Sequence, residues 1–347
     1  IDLYLLSDAV FYITKMEKYL KPENSMLFSI GKSMNLENRY TRFHCIDFDE
    51  LTSIDTIICE IESKNEDVWI CYRNGQRYLE KLQTLELSEV HSDSNMELVE
   101  QGVYIITGGR GFVGGQIAKR LMKFPKITIV ILSRTAAYSE KVLANGTKLV
   151  QYPVDVSDEQ ALSDILATMR IAYGEIHGVI HCAGIVRQGK NLKGRNYLEE
   201  DILEAKVYGT WLLSRLTNND PIDFFICCSS FITLIGGMNS CEYAIANSYV
   251  DAFTDFRILH DQNAMTINWG TFEESIANVN KYNNFIFKPM NTQKALNIWD
   301  NVFNTYKGRL FIGVFNYDID YFSLKQYIPF LLSERMKKKV KLNKKGE

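Results

Sequence analysis

The chain has 347 residues, a length that suggests two domains of ordinary size. Apolar residues make up 46% and charged residues 23%, which is globular composition and excludes wholesale disorder. The net charge of −3 gives no basic footprint for nucleic acid, and no run of 18 apolar residues could form a membrane span. Seven cysteines without a C-x-x-C pair predict reduced thiols and a cytoplasmic location.

A polar, acidic stretch from His91 to Gln101 predicts a linker between two halves. We therefore expect a structural subdomain at residues 1–95 and a catalytic subdomain at residues 96–335. Residues 336–347 are rich in lysine and are expected to form a solvated linker or tail. Since the chain begins at Ile1 and stops within these lysines, we expect it to be a piece of a longer protein.

The first half is predicted to be an α/β unit without a glycine-rich phosphate loop. Its apolar runs predict strands at Ser25–Ile30, Phe43–Phe48, Thr56–Ile61 and Val68–Tyr72. The Asn74-Gly75 pair after the last strand indicates a tight turn. With no convergent acid, base or metal-ligand set, this half is predicted to be structural.

The second half alternates apolar strands with amphipathic helices more clearly. Predicted strands are Val103–Ile106, Ile127–Leu132, Lys148–Val154, Gly178–His181, Phe224–Cys228, Met265–Asn268 and Leu310–Phe315. Predicted helices are Gly115–Lys123, Asp158–Tyr173, Leu198–Leu216, Glu242–His260 and Thr292–Tyr306. Continuous apolar strands alternating with helices predict a doubly wound, mostly parallel sheet covered on both faces.

A glycine-rich loop follows the first of these strands and opens a helix. Gly109, Gly111 and Gly114 have the G-x-G-x-x-G spacing, which permits a tight turn, close approach to a pyrophosphate and close helix packing. The helix N-terminus offers backbone N–H groups to the anion. The sequence therefore predicts a dinucleotide site. Residues expected to contact the cofactor here are Thr107, Gly108, Gly109, Arg110, Gly111, Phe112, Val113 and Gly114.

The end of the second strand indicates which nicotinamide cofactor is used. It reads Ser133-Arg134, without the acidic residue that would bind a ribose 2′-hydroxyl. Arg134 can pair with a 2′-phosphate through its planar guanidinium, and Arg110 could add charge. We therefore predict NADPH rather than NADH, with a solvated surface role for Arg134 as the alternative.

Two further strand ends fit the adenine side of such a site. Asp155 and Val156 follow the third strand, where a carboxylate can accept from an adenine amino group. Asp155 could instead cap the helix that starts near Ser157. His181, Ala183 and Gly184 end the fourth strand with small residues where a ribose must pass.

A strand-end Ser230 and, thirteen residues later, a helix-borne Tyr243 resemble the short-chain dehydrogenase/reductase superfamily. Its commonest form has lysine four residues after the tyrosine, where this chain has Asn247. The ketoreductase domains of modular polyketide synthases place the lysine upstream instead. Lys206 lies 24 residues before Ser230 and 37 before Tyr243, the spacing of that family.

The resemblance implies two Rossmann-like subdomains, a degenerate structural one followed by the NADP-binding catalytic one. It implies reduction of a β-keto, or α-keto, acyl thioester carried on the phosphopantetheine arm of an acyl carrier protein, within a synthase for antibiotic biosynthesis. Tyr243 is then the proton donor, its pKa lowered by Lys206, which also holds the nicotinamide ribose. Ser230 bonds the carbonyl oxygen, and Asn247 fixes the lysine or a relay water. Partners are neighbouring synthase domains, with no nucleic acid and no membrane.

The family pattern is incomplete in two regions. The stretch Val186-Arg187-Gln188 lacks the Leu-Asp-Asp of one product class, which favours the class giving the L-hydroxy product. The segment Thr271–Phe287 is expected to form a lid. Tyr282, Phe285 and Phe287 either form one wall of it or serve ordinary packing. Two alternatives to the carrier-dependent reductase are a free-standing reductase of small ketones and a silent scaffold domain.

Overall fold

The computed structural model describes residues 1–38, 40–86, 98–186, 200–276, 286–303, 306–319 and 328–340. The architecture is α/β, with one small and one large sheet, so the predicted fold class is confirmed. The predicted subdomain boundary at residue 95 lies outside the described residues. Among the helices that are described, none is both long and apolar enough to cross a membrane.

The first half contains a four-stranded sheet in the order β1-β2-β3-β4. The strands are β1 (Asp2–Asp8), β2 (Arg42–Phe48), β3 (Trp69–Arg73) and β4 (Gln76–Leu79). The first three are parallel, and β4 returns antiparallel to β3. Asn74 and Gly75 both have positive φ angles, 51° and 72°, as a two-residue hairpin turn of this kind requires. The predicted turn is therefore confirmed, whereas β1 was not predicted.

Two predicted strands of this half are wrong, because Ser25–Ile30 and Thr56–Ile61 lie in helices. These are α1 (Asn24–Glu37) and α2 (Ile54–Glu62). The face that α1 buries is mostly small or polar, and it includes Ser25, Ser29 and Lys32. No apolar stripe at helical spacing could therefore mark it. In α2 the run of β-branched residues is typical of a strand, but it forms a helix. Ser53 caps this helix by accepting from the Thr56 N–H.

The second half contains an eight-stranded sheet in the order β14-β12-β11-β10-β6-β7-β9-β8. Its strands are β6 (Val103–Thr107), β7 (Thr128–Leu132), β8 (Ser139–Val142), β9 (Lys148–Tyr152), β10 (Ile176–His181), β11 (Phe224–Ser230), β12 (Ala264–Trp269) and β14 (Gly308–Ile312). All are parallel except β8. The strand order reverses between β6 and β10, which makes the carboxyl ends of these strands the expected ligand crevice.

Four short strands form two further sheets of two strands each. They are β5 (Lys81–Leu82) with β16 (Leu331–Leu332), and β13 (Phe287–Lys288) with β15 (Val314–Phe315). The β5–β16 pair joins a segment that follows the first sheet to the end of the described chain.

Helices cover both faces of the large sheet. The helices described after β6 are α3 (Phe112–Leu121), α4 (Glu159–Tyr173), α5 (Glu200–Leu203), α6 (Gly209–Leu216), α7 (Ile232–Ile235), α8 (Cys241–Leu259), α9 (Glu273–Ile276), α10 (Thr292–Val302) and α11 (Glu334–Lys339). A π-helical turn, Glu204–Tyr208, links α5 to α6. Two apolar clusters use alternate residues of the strands, such as Ile106 on one face and Ile105 on the other. This alternation is the reason that the strands read as continuous apolar runs.

The tail boundary predicted at residue 336 falls inside a packed helix. Met336 and Val340 are buried in an apolar cluster with Phe315 and Leu332. Ser333 caps this helix by accepting from the Met336 N–H. The packed part of the chain therefore reaches Val340. Met336 and Val340 are four residues apart and bury the same face of the helix, although the residues between them include three lysines.

Candidate active site

The glycine loop after β6 is held tightly against the sheet. Gly108 has a φ of 63°, so the left-handed turn falls on this residue rather than on Gly109. A Cβ atom on Gly109 would come within 2.9 Å of the Ile131 side chain, and one on Gly114 within 2.5 Å of the Gly108 carbonyl oxygen. Tight packing of the loop and of the first turn of α3 thus requires glycine at these positions.

The N-terminus of α3 fits an anionic ligand. Gly111 is its N-cap and provides no side chain to accept from the first N–H groups of the helix. A Cβ on Gly111 would meet only the Gly108 carbonyl oxygen, at 3.2 Å, so the space above the loop is otherwise open. Arg110 and Phe112 are exposed there, and the Phe112 ring contacts that of Phe272 at 5.2 Å. The cradle therefore suits a pyrophosphate group.

Arg134 lies at the end of β7, where the sequence predicts a 2′-phosphate site. Its side chain is 58% exposed, and its Nη1 lies 3.7 Å from Oδ2 of Asp155. The other oxygen of Asp155 accepts from the N–H and hydroxyl of Ser157, at 3.0 and 2.6 Å. The N-cap of α4 is Asp158, not Asp155. The Arg134 guanidinium thus sits at the surface with a single long ion pair among the described contacts. Ser133 lies beside it and Val156 is buried.

His181 connects the glycine-loop strand to the turn that carries Lys206. One ring nitrogen lies 2.7 Å from Thr107 Oγ1 and the other 3.0 Å from the Ala205 carbonyl oxygen. Since a carbonyl only accepts, Nε2 carries the proton and Nδ1 accepts from Thr107. Burial lowers the pKa of His181 to about 3, with the nearby Lys206 charge acting in the same direction. The ring is therefore neutral, and both nitrogens are engaged within the protein.

Ala183 and Gly184 follow His181 and lie against Thr107 and Lys206. The Ala183 N–H donates to Thr107 Oγ1 at 3.1 Å, which leaves that hydroxyl free to donate to His181. A Cβ on Gly184 would lie 2.6 Å from Cε of Lys206. Gly184 is thus required because the lysine side chain crosses directly over it.

Lys206 lies in the π-helical turn and is buried, at 4% exposure. Such turns occur frequently at functional sites. Its Nζ donates to the carbonyl oxygen of Cys228 at 2.6 Å. Burial lowers the pKa of this lysine, and neighbouring cysteines oppose the shift only in part. The predicted lysine is therefore brought to β11, two residues before Ser230.

Tyr243 lies in the first turn of α8 and is partly exposed. Burial raises its pKa above the ordinary value, while hydrogen bonds with the side chains of Ser230 and Asn247 act in the lowering direction. The expectation of a net lowering by Lys206 is therefore not met in the structure, because desolvation outweighs the polar contacts. Lys206 bonds to Cys228, and Tyr243 contacts Ser230 two residues farther along β11, so both side chains lie near the end of that strand.

Asn247 and Ser230 complete the cluster. The Asn247 side chain is fully buried and its Nδ2 donates to the Tyr243 carbonyl oxygen at 2.7 Å. Its Oδ1 is buried without a partner in the part of the chain that the structure describes. A buried acceptor without a donor is costly, so this oxygen is suited to a water or an ammonium group. Ser230 is buried at the end of β11, and its Oγ accepts from the Ile232 N–H at 3.4 Å.

Asn268 supports the catalytic strand, a role that the sequence did not predict. Its Nδ2 lies within 3.3 Å of Ser229 Oγ, the Ser230 carbonyl oxygen and Thr233 Oγ1. It also lies 2.8 Å from the Asp251 carboxylate. No local signal marks it, because its partners lie on three other elements.

Two sulfur atoms lie close to this cluster. The thiols of Cys182 and Cys228 are 3.1 Å apart, and both cysteines are free. Cys227, which precedes Cys228 on β11, is fully buried. Four predicted residues, Arg187, Gln188, Tyr282 and Phe285, lie outside the described residues. Phe287 is buried and packs on Phe231, Phe311 and Phe315.

A family model described as the KR domain matches residues 102–274. The polyketide synthase PksN of Bacillus subtilis is 27% identical over 274 residues, which cover 74% of this chain and 5% of that protein. A mycocerosic acid synthase-like polyketide synthase of Mycobacterium tuberculosis is 34% identical over 178 residues, covering 49% of this chain and 8% of that protein. The chain thus spans a small part of the relatives it matches.

Solved structures are similar to the whole chain in fold. The first ketoreductase of the tylosin polyketide synthase aligns with a TM-score of 0.79 at 18% identity, covering 98% of this chain and 76% of that chain. A ketoreductase domain from the bacillaene assembly line aligns with a TM-score of 0.72 at 21% identity, covering 98% and 80%. At these identities the likeness concerns the fold alone.

Proposed function

This chain belongs to the ketoreductase domains of modular polyketide synthases, oxidoreductases that act on keto groups, and we propose that it reduces an acyl thioester carried by an acyl carrier protein. The group reduced is the β-keto, or α-keto, carbonyl, which becomes a hydroxyl. The observation that carries the proposal is the cluster of Ser230 at the end of β11 with Tyr243 and Asn247 on α8, together with Lys206 bonded to β11.

Reduction of a ketone requires a proton on oxygen as well as a hydride on carbon. NADPH, when bound, supplies the hydride. Ser230 Oγ hydrogen-bonds the carbonyl oxygen and places it against the Tyr243 hydroxyl. The Tyr243 hydroxyl, whose pKa burial raises further above neutrality, is protonated at neutral pH and donates its proton to the substrate oxygen as the hydride reaches the carbon. Lys206 and Asn247 Oδ1, which has no hydrogen-bond partner among the described residues, support return of the proton to that phenol.

The cofactor assignment rests on the loop and on Arg134. Gly108 to Gly114 shape a cradle, and the uncapped α3 N-terminus favours a pyrophosphate. The exposed Arg134 favours a 2′-phosphate, and no acidic residue ends β7. NADPH is therefore proposed over NADH.

The proposed partners follow from the relatives. The chain matches about a twentieth of PksN, so neighbouring synthase domains are proposed to flank it. A carrier protein with a phosphopantetheine-bound ketoacyl chain is the proposed substrate form. Lys337, Lys338 and Lys339 on α11 offer positive charge to an acidic carrier.

The test is NADPH oxidation by the purified chain with decalone, with a short β-ketoacyl thioester and with the same acyl group on a carrier protein. We expect turnover, with preference for the carrier-bound form. Preference for decalone would instead indicate a reductase of small ketones. No turnover with any of the three, despite NADPH binding, would identify a silent scaffold domain and reject the proposal.

The matched variants are Tyr243→Phe and Tyr249→Phe, both on α8. Tyr243→Phe is expected to abolish reduction while NADPH binding stays near normal. Tyr249 is buried and stacks on Phe253, so its variant is expected to keep most activity. Substantial residual turnover in Tyr243→Phe would reject Tyr243 as the acid.

A further inference from the structure

The connection between Ser230 and Tyr243 is held by the first half of the protein. Residues 231–240 run from the end of β11 through α7 to the start of α8. Helix α1, slightly more than 200 residues earlier in the chain, lies against this connection and makes at least three hydrogen bonds to it. The reacting hydroxyls therefore depend on a helix outside the family-matched residues 102–274.

Lys32 makes the most deeply buried of these bonds. Its Nζ donates to the Thr233 carbonyl oxygen at 2.7 Å and pairs with the Glu80 carboxylate at 3.2 Å. The same ammonium lies 3.2 Å from the centre of the Trp69 ring. Its side chain is 1% exposed, and burial lowers its pKa. An ammonium held this deeply, with partners from three segments, is fixed in position.

Ser33 and Glu37 continue the contact along α1. The Gly237 N–H donates to Ser33 Oγ at 3.0 Å, and the Asn239 N–H donates to Glu37 Oε1 at 2.9 Å. Gly236 has a φ of 90°, and a Cβ on it would lie 2.8 Å from the Lys32 backbone carbonyl carbon. The two backbones are therefore in direct contact, and the connection cannot move without disturbing α1.

The contact is relayed to the catalytic serine by buried polar groups. Thr233 Oγ1 donates to the Ser230 carbonyl oxygen at 3.2 Å, and Asn268 bonds the same hydroxyl at 3.0 Å. The Thr233 carbonyl is the acceptor for Lys32. A displacement of the Thr233 carbonyl is therefore transmitted to Ser230 through Thr233 itself.

We propose that Lys32 and Ser33 are positioning residues for the reduction, which set the separation of the Ser230 and Tyr243 hydroxyls by holding residues 231–240. The inference rests on the proposed function and gives the first half a role in the chemistry as well as in stability. A displacement of about 1 Å in such a site costs about 100-fold in rate.

The test compares Lys32→Met with Arg73→Met in the full chain. Arg73 is an equally buried cation of the first half, but its bonds run to Glu17, Asp47 and backbone carbonyls within that half. Both variants are expected to lower the melting temperature. Only Lys32→Met is expected to lower kcat, by at least 10-fold, with the Kd for NADPH unchanged. Equal kcat values in the two folded variants would overturn the proposal.

Amide hydrogen exchange gives a readout that does not need turnover. Lys32→Met is expected to speed exchange in residues 231–240, and Ser33→Ala to speed it at Gly237, whereas Arg73→Met leaves both unchanged. Ser33→Ala also serves if Lys32→Met does not fold, with a smaller fall in kcat expected. Unchanged exchange in Ser33→Ala would reject the contact. An inactive wild-type chain with the expected exchange pattern would reject the proposed function but keep the positioning contact.

Discussion

The buried ammonium of Lys206 donates to the carbonyl oxygen of Cys228, two residues before Ser230, at 2.6 Å. This bond ties the predicted lysine to the same strand end as the serine, although the two are 24 residues apart in sequence. Burial disfavours the charged form of Lys206, so the same charge that supports the proposed reaction lowers the stability of the fold.

Lys206→Met is expected to lower turnover by about 100-fold or more, because proton transfer loses its cation. The same variant is expected to be more stable at neutral pH by about 1–2 kcal/mol, since an apolar side chain replaces a buried charge. The folded pKa of Lys206 is below its unfolded value, so wild-type stability rises with pH between the two. The gain in the variant should therefore shrink toward pH 10.5.

Urea unfolding at several pH values checks this expectation. Lys18→Met is the matched control, because Lys18 is 79% exposed and pairs with the exposed Glu50. A Lys206→Met variant that is less stable than wild type at pH 7 would contradict the account of the buried charge.

His181 predicts a specific acid sensitivity. Its folded pKa is about 3 and its unfolded value about 6.5, so the unfolded state binds more protons between these values. The contribution of neutral His181 to the free energy of unfolding is fully present above pH 6.5. It is lost as pH falls toward 3, by about 1.4 kcal/mol for each pH unit in that window. His181→Asn should lose less stability than wild type between pH 7 and pH 5. The exposed His260→Asn should behave as wild type, and an identical fall in all three proteins would refute the assignment.

Sequence alone predicted the large sheet well, because each of its central strands is buried on both faces and reads as a continuous apolar run. Spacing to a known family predicted that Lys206, Ser230 and Tyr243 act together. The structure brings Lys206 to Cys228 and Tyr243 to Ser230 on the same strand, and the roles of the three residues stay a prediction. The same reasoning failed for α1, whose buried face carries Ser29 and Lys32 instead of an apolar stripe. The direction of the Tyr243 pKa shift could not be predicted either, since it depends on burial in the folded state.

The glycine loop allows stability and binding to be separated. Gly114→Ala would place a Cβ 2.5 Å from the Gly108 carbonyl oxygen, so it should cost about 1–3 kcal/mol of stability as well as NADPH affinity. Gly111→Ala meets only that oxygen at 3.2 Å and should fold nearly as wild type. Its methyl group projects into the cradle, so NADPH affinity should fall at least 10-fold. Melting temperature and NADPH titration check both, and wild-type affinity in Gly111→Ala would show that no pyrophosphate lies there.

Arg134 decides the choice between the two nicotinamide cofactors. Its guanidinium is 58% exposed and, within the described ranges, pairs with Asp155 alone at 3.7 Å, so it can turn toward a 2′-phosphate at little cost. A charge-assisted hydrogen bond of this kind is worth about 1.5–3 kcal/mol, which is about 10- to 100-fold in affinity. Arg134→Ala should weaken NADPH by that factor and leave NADH nearly unchanged. Asp155→Asn removes the competing charge and should strengthen NADPH slightly. Direct titration of both cofactors gives the ratio, and a ratio equal to that of wild type in Arg134→Ala would reject a 2′-phosphate contact at this strand end.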